Sequence, residues 1–136
     1  MDRTEIQTIL PHRPPMLLVD EAHIEGDTAV GRYTVRGDEF FLQGHFPGNP
    51  VVPGVILCEM MGQSSAVLIA DKMAGATPFF SGMDKVRFRR IVRPGDTIVF
   101  TTTLTANKGA FYFMTGTGTV NDELCVSAEL SFALVR

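Results

Sequence analysis

The strongest constraint on this chain is one apolar run, Val55 to Met73, followed by an unbroken succession of strand-like segments. Pro53 stands where a helix tolerates a missing N–H, and Gly75 lies just past the other end, where helices commonly stop. At about 1.5 Å per residue the run makes a helix roughly 28 Å long. It is apolar nearly all round, so the remainder of the chain must enclose it. A bilayer span is the wrong reading: between Val51 and Ala70 the sequence carries Pro53, Glu59, Gln63, Ser64 and Ser65, which a membrane helix rarely tolerates together.

The wrapping comes from strands. Met16 to Ile24 reads as one, and Gly26-Asp27 turns the chain into Thr28 to Val35. Beyond the helix come Phe79 to Met83, Val86 to Val92, Ile98 to Asn107, Ala110 to Val120 and Leu124 to Val135. Pro94-Gly95-Asp96, Lys108-Gly109 and Asn121-Asp122 mark turns between them. Ile98, Phe100, Thr102 and Leu104 alternate as residues of a half-buried strand do. Helix and strands are not interleaved, so the sheet is expected to be antiparallel and the class α+β. With 136 residues and no linker or repeat, residues 1–136 read as one domain. A domain of this size buries a modest share of its surface, which favours self-association.

Composition removes several functions. A net charge of −3 leaves no dominant basic face for nucleic acid. Asp2 and Glu5 stand where a secretion signal needs basic residues and then an apolar run. Cys58 and Cys125 lie singly among apolar neighbours, as reduced core thiols of a cytoplasmic protein would. His12, His23 and His45 form no metal-ligand spacing with the acids, and no GxSxG elbow is present. No cofactor is expected.

The chemistry concentrates in Gly44-His45-Phe46-Pro47-Gly48-Asn49-Pro50-Val51-Val52-Pro53-Gly54-Val55 and the helix after it. Phe40 to Val52 is too rich in Gly and Pro for regular structure, and its prolines stiffen the loop that carries His45. Gly54 falls at a helix N-terminus, where unpaired N–H groups and the dipole favour a developing oxyanion. Glu59 projects from an apolar helix, with Gln63 one turn on and able to hydrogen-bond it. Each feature taken singly has an ordinary structural reading: a loop histidine, a turn, a carboxylate reaching solvent. A base, an oxyanion donor and an acid together are what β-elimination beside a thioester carbonyl requires. Histidine needs little tuning to act as a base near neutral pH, whereas Glu59 must be raised by burial if it is to carry a proton.

The sequence resembles the 3-hydroxyacyl-[acyl-carrier-protein] dehydratases of bacterial type II fatty-acid synthesis, which have the hotdog fold. The likeness runs through Leu10-Pro11-His12-Arg13-Pro14-Pro15-Met16-Leu17-Leu18-Val19-Asp20, the loop Gly44 to Val55, the helix with Glu59 and Gln63, and Phe88-Arg89-Arg90-Ile91-Val92-Arg93-Pro94-Gly95-Asp96. The resemblance implies His45 and Glu59 as catalytic residues drawn from opposite subunits of a homodimer, with dimers gathering as trimers of dimers. It also implies that the Gly54 amide binds the thioester oxygen, and Gln63 is expected beside it as a substrate-binding residue. A relative that also isomerises the double bond has Asp in place of Glu59, so the non-isomerising type is expected. An acyl channel is expected along Met60, Met61, Phe79 and Phe80. The acidic acyl carrier protein is expected to dock on the basic run of Lys85, Arg87, Arg89 and Arg93. Two competing readings are a hotdog thioesterase, disfavoured by the His45 loop, and an acyl-binding module without catalysis, disfavoured by the pairing of His45 with Glu59.

Overall fold

The computed structural model describes residues 1–136. Its strands are β1 (Glu21–Glu25), β2 (Thr28–Thr34), β3 (Thr77–Phe88), β4 (Thr97–Lys108), β5 (Phe111–Val120) and β6 (Glu123–Val135). They form one sheet in the order β1-β2-β4-β5-β6-β3, with every neighbouring pair antiparallel. The sheet curves round the helical segment, giving the expected α+β hotdog arrangement. On its inner face Tyr33, Ile98, Phe100 and Met114 meet Met60 and Met61 of the helix, all of them buried. Cys58 and Cys125 are buried free thiols, and burial pushes both upward from the usual thiol range.

Three expectations need correction. The first strand does not start at Met16: the ladder begins at Glu21, although Leu17, Leu18 and Val19 are fully buried. The physical reason is that Leu18 N–H donates to the side-chain carbonyl of Gln63 at 2.7 Å and Met16 C=O accepts from the same amide at 2.8 Å. A glutamine on the helix thus takes the place of a neighbouring strand. The central helix is also not uniform. α2 (Gly54–Ser64) passes through a 3₁₀ stretch at Ser65–Ile69 into α3 (Ala70–Met73). Ser65 Oγ donates back to Gly62 C=O at 2.6 Å, a serine habit that disturbs the regular helical ladder. Pro53 is the residue just before α2, not its first member.

Third, the strands expected at Phe79–Met83 and Val86–Val92 are one strand, β3, irregular at Ser81 and at Lys85–Val86. Lys85 takes φ 50, and its N–H donates to Asp84 Oδ1 at 2.8 Å, which accommodates the extra residue. Arg89 to Val92 leave the sheet, and Val92 C=O receives Val52 N–H at 2.9 Å, tying the loop before α2 to this segment.

The two sheet edges differ. β1 has five residues and presents Glu21, His23 and Glu25 to solvent, a charged and short edge of the kind that discourages pairing. β3 has twelve and exposes Phe79 (56%), Met83 (48%) and Phe88 (51%).

Candidate active site

His45 sits half-buried on the loop between the 3₁₀ turn Phe40–Leu42 and α2. The loop is closed by its own backbone: His45 C=O accepts from Val51 N–H at 2.8 Å, and Phe46 and Asn49 exchange bonds of 3.0 and 2.9 Å. Asn49 Oδ1 also accepts from Arg93 at 2.6 Å. The imidazole stacks on Phe46 with centroids 4.4 Å apart. Its Nδ1 lies 3.0 Å from Val51 C=O. A carbonyl can only accept, so Nδ1 carries the proton and Nε2 is left with a free lone pair. That is the tautomer a base requires.

Gly54 opens α2, and its N–H finds no acceptor among the backbone bonds outside the regular elements. The Phe88 ring covers the residue: a Cβ there would lie 2.6–2.9 Å from three ring carbons, so any other residue displaces the ring. Gly54 lines a depression together with Val51, Pro53, Val55, Phe88, Arg89 and Ile91.

Glu59 lies elsewhere. It lines a separate cavity of about 50 Å³ between the helix and β3, β5 and β6, which runs past Phe80, Phe132 and Met114 to Met73 and Leu134. Gln63 Nε2 donates to Glu59 Oε2 at 2.8 Å, as the one-turn spacing suggested. With its other N–H on Met16 C=O and its carbonyl on Leu18 N–H, the Gln63 amide has no donor left for a substrate. It holds Glu59 in place. Burial raises the Glu59 carboxyl, but His12 and Gln63 outweigh it, and the group ends below its ordinary range. The expectation of a raised Glu59 is thereby corrected, because two donors converge on it where the sequence had suggested one.

His12 is the residue that sequence reasoning missed. Its Nε2 faces Glu59 Oε2 at 3.4 Å, and it lines the same cavity. The signal was its place in Leu10-Pro11-His12-Arg13, a motif to which no role had been given. Of the expected channel residues, Phe80 lines the cavity and stacks on Phe132 at 4.7 Å. Met60 and Met61 are core residues outside it, and Phe79 faces solvent. In the basic run, Lys85 sits 3.8 Å from Glu129, Arg87 bonds its neighbour Val86 C=O, and Arg93 serves the His45 loop. Arg89 is exposed at the rim of the Gly54 depression.

The comparisons fall in with this geometry. Residues 21–129 match the family model described as ApeI-like, ApeI dehydratase. The 3-hydroxyacyl-[acyl-carrier-protein] dehydratase FabZ of Caldicellulosiruptor saccharolyticus is 48% identical, the match covering 98% of both chains. Its namesake from Oenococcus oeni is 45% identical over 98% of this chain and 99% of the relative. In fold, the dehydratase heterocomplex ApeI:P from Xenorhabdus doucetiae superposes with a TM-score of 0.83, covering 96% of this chain and 91% of that one at 21% identity. A hypothetical thioesterase with coenzyme A from Streptococcus pneumoniae shares the fold more distantly, with a TM-score of 0.62 at 14% identity over 85% and 84% of the two chains. Near-identical length, close to half the residues in common and a shared fold lead to one conclusion: the chain belongs to the 3-hydroxyacyl-[acyl-carrier-protein] dehydratase family.

Proposed function

We propose that the protein converts (3R)-3-hydroxyacyl-[acyl-carrier-protein] to the trans-2-enoyl thioester in fatty-acid biosynthesis, with His45, Gly54 and Glu59 as its working parts. The observation that carries the activity is the 45–48% identity over nearly the whole chain to dehydratases of that name. His45 Nε2 takes the C2 proton, and the Gly54 N–H receives the charge developing on the thioester oxygen. Glu59, which takes up a proton once the bound acyl chain excludes water and burial outweighs its two donors, protonates the 3-hydroxyl as the C3–O bond breaks, so water leaves and the C2–H electron pair becomes the double bond. The Glu59 cavity, apolar along Ile69, Met73 and Leu134, takes the acyl chain.

A homodimer completes this site. Gly54 and Glu59 open on different cavities of one chain, and the long apolar β3 edge suits an isologous partner strand. A two-fold across β3 would set the Gly54 depression of one subunit beside the Glu59 cavity of the other, and three such dimers would make the hexamer. Arg89, an exposed cation lining the Gly54 depression, and Arg87, exposed two residues before it, suit the acidic carrier. Cytoplasmic residence fits the buried, reduced Cys58 and Cys125.

The test is ultraviolet absorbance with a 3-hydroxyacyl thioester on acyl carrier protein, run beside His45→Ala and analysed for free thiol. A conjugated enoyl product that vanishes in the variant is expected. Release of thiol would instead make the protein a thioesterase, and an unaffected variant would remove His45 from the mechanism.

A further inference from the structure

The Leu10–Val19 segment has so far served only to cover the helix, yet it brings a titratable side chain to Glu59. Arg13 fixes this segment from outside: its guanidinium donates to the carbonyls of Leu10 at 2.9 Å, His12 at 2.7 Å and Gln7 at 3.2 Å. The His12 backbone is therefore held, and its ring is aimed at the cavity with Nε2 towards Glu59 Oε2. The opposite nitrogen, Nδ1, is buried without any partner. A proton placed there would go unsatisfied, which is costly in a buried site. The ring thus keeps its one proton on Nε2, where Glu59 can accept it.

Both donors then address the same carboxylate oxygen. Gln63 Nε2 reaches Oε2 at 2.8 Å and His12 Nε2 faces it at 3.4 Å, whereas Oε1 has no protein partner. The 3.4 Å separation exceeds that of a formed N–H···O bond, about 2.7–3.2 Å, as contacts in unliganded catalytic sites often do before substrate tightens them. An oxygen occupied by N–H donors is a poor place for a carboxyl proton, which would point at other protons.

We infer that His12 is a positioning residue for the dehydration: with Gln63 it occupies Glu59 Oε2 and so directs the acid proton to Oε1, the oxygen free to meet the substrate 3-hydroxyl. This rests on the role proposed for Glu59. Among the residues lining the cavity, His12 and Glu59 are the only titratable ones, so the pair governs the local charge within the chain. In the dimer proposed above, the partner's His45 would be the remaining titratable group to meet it. No bond is made or broken at His12. Its effect is to orient the proton that leaves Glu59 with the departing water.

The experiment compares His12→Ala with His12→Gln, the latter keeping an N–H donor without a titratable ring. His12→Ala should lower kcat about 10- to 100-fold, the scale of a misplaced catalytic group, and leave KM within about twofold. Its alkaline limb should move to higher pH, because loss of a donor to the carboxylate weakens the ionised form of Glu59. His12→Gln should recover most of kcat and return the limb towards the wild-type position. Wild-type kcat and pH profile in His12→Ala would overturn the inference, and so would His12→Gln as impaired as His12→Ala with an unmoved limb. Thermal melting and dimer content, read on both variants, separate these results from misfolding. If His12→Ala does not fold, His12→Asn and His12→Gln make the same comparison. Wild-type turnover decides the dehydratase reading independently.

Discussion

Chains carrying His45→Ala and chains carrying Glu59→Gln should each be inactive alone and regain activity when co-expressed. The reasoning starts from α2. Gly54 and Glu59 are five residues apart, about 7.5 Å along the axis and about 140° around it. One helix therefore presents its amide and its carboxylate to different sides: the amide to the depression under Phe88, the carboxylate to the cavity beside Leu10 and Leu134. On the reading proposed above, a substrate whose reacting carbons are adjacent meets the two groups only across a subunit boundary. In the dimer proposed above, a two-fold axis would place the His45 and Gly54 of one subunit against the Glu59 of the other. In a mixed dimer one site then carries both lesions and the other carries neither. Random pairing of equal amounts makes about half the dimers mixed, so about one quarter of all sites are intact. This fraction is unchanged if dimers assemble further. The assay is enoyl formation by the co-expressed, co-purified mixture, normalised to wild type at equal total chain. Recovery near one quarter is expected. Activity no higher than the mean of the two parents would refute the shared site and place both groups in one chain's reach.

Other substitutions probe the surroundings. Gly54→Ala drives a Cβ to 2.6–2.9 Å from the Phe88 ring, so the ring must shift across the amide; kcat/KM should fall by at least about tenfold, with folding retained in thermal melts. Gly62→Ala puts a methyl 2.8 Å from Phe132 and 3.1 Å from Phe80 in the cavity wall, which should cost about 1–3 kcal/mol of stability in urea titrations. The same narrowing should lower kcat/KM for long acyl chains more than for short ones. Glu39 gives a stability test. Burial raises its carboxyl, but the Arg36 and Gly37 amides at 2.9 and 2.8 Å and the Tyr33 hydroxyl at 2.8 Å hold it below its ordinary range. A depressed carboxyl stabilises the fold above its unfolded value and loses that contribution as pH falls through the folded one. Glu39→Gln should therefore lose about 1.5–3 kcal/mol at pH 7, and the gap from wild type should close in acid, as followed by urea midpoints.

The architecture was legible because it depends on pattern. The apolar run at Val55 to Met73 and the alternation in Ile98, Phe100, Thr102 and Leu104 are statements about which faces are buried; Ile98, Phe100, Thr102, Met60 and Met61 are buried as those patterns require, whereas Leu104 and Val55, at the ends of their patterns, are exposed. The site was legible in part for a similar reason: Glu59 and Gln63 are one helical turn apart, and that spacing fixes their contact. His12 escaped because it meets Glu59 across 47 residues of chain, and no local period encodes such a contact. The Met16–Val19 segment misled for a related reason. Its apolar residues read as a strand, but its hydrogen-bond partner is a side chain, Gln63, and only the folded structure reveals that. The expected rise of Glu59 failed on the same point, since burial was visible in sequence while the second donor was not.

The exposed edge and the divided site make a last prediction. β3 leaves twelve residues of backbone and the rings of Phe79 and Phe88 to solvent, a long apolar edge of the kind that aggregates unless it is covered. The same strand carries Phe88 over Gly54, so whatever covers the edge also closes the depression that holds the oxyanion donor. Association and catalysis should then be lost together. On dilution, specific activity should fall along the same curve as the dimer fraction measured by sedimentation, because in the shared site proposed above a separated chain would retain a base without its acid and an acid without its base. Charging the edge with Phe79→Glu, a residue outside both cavities, should move the two curves to higher protein concentration in step. Full activity per chain in a Phe79→Glu monomer would show that one chain suffices, and β3 would then be an edge whose partner has nothing to do with the chemistry.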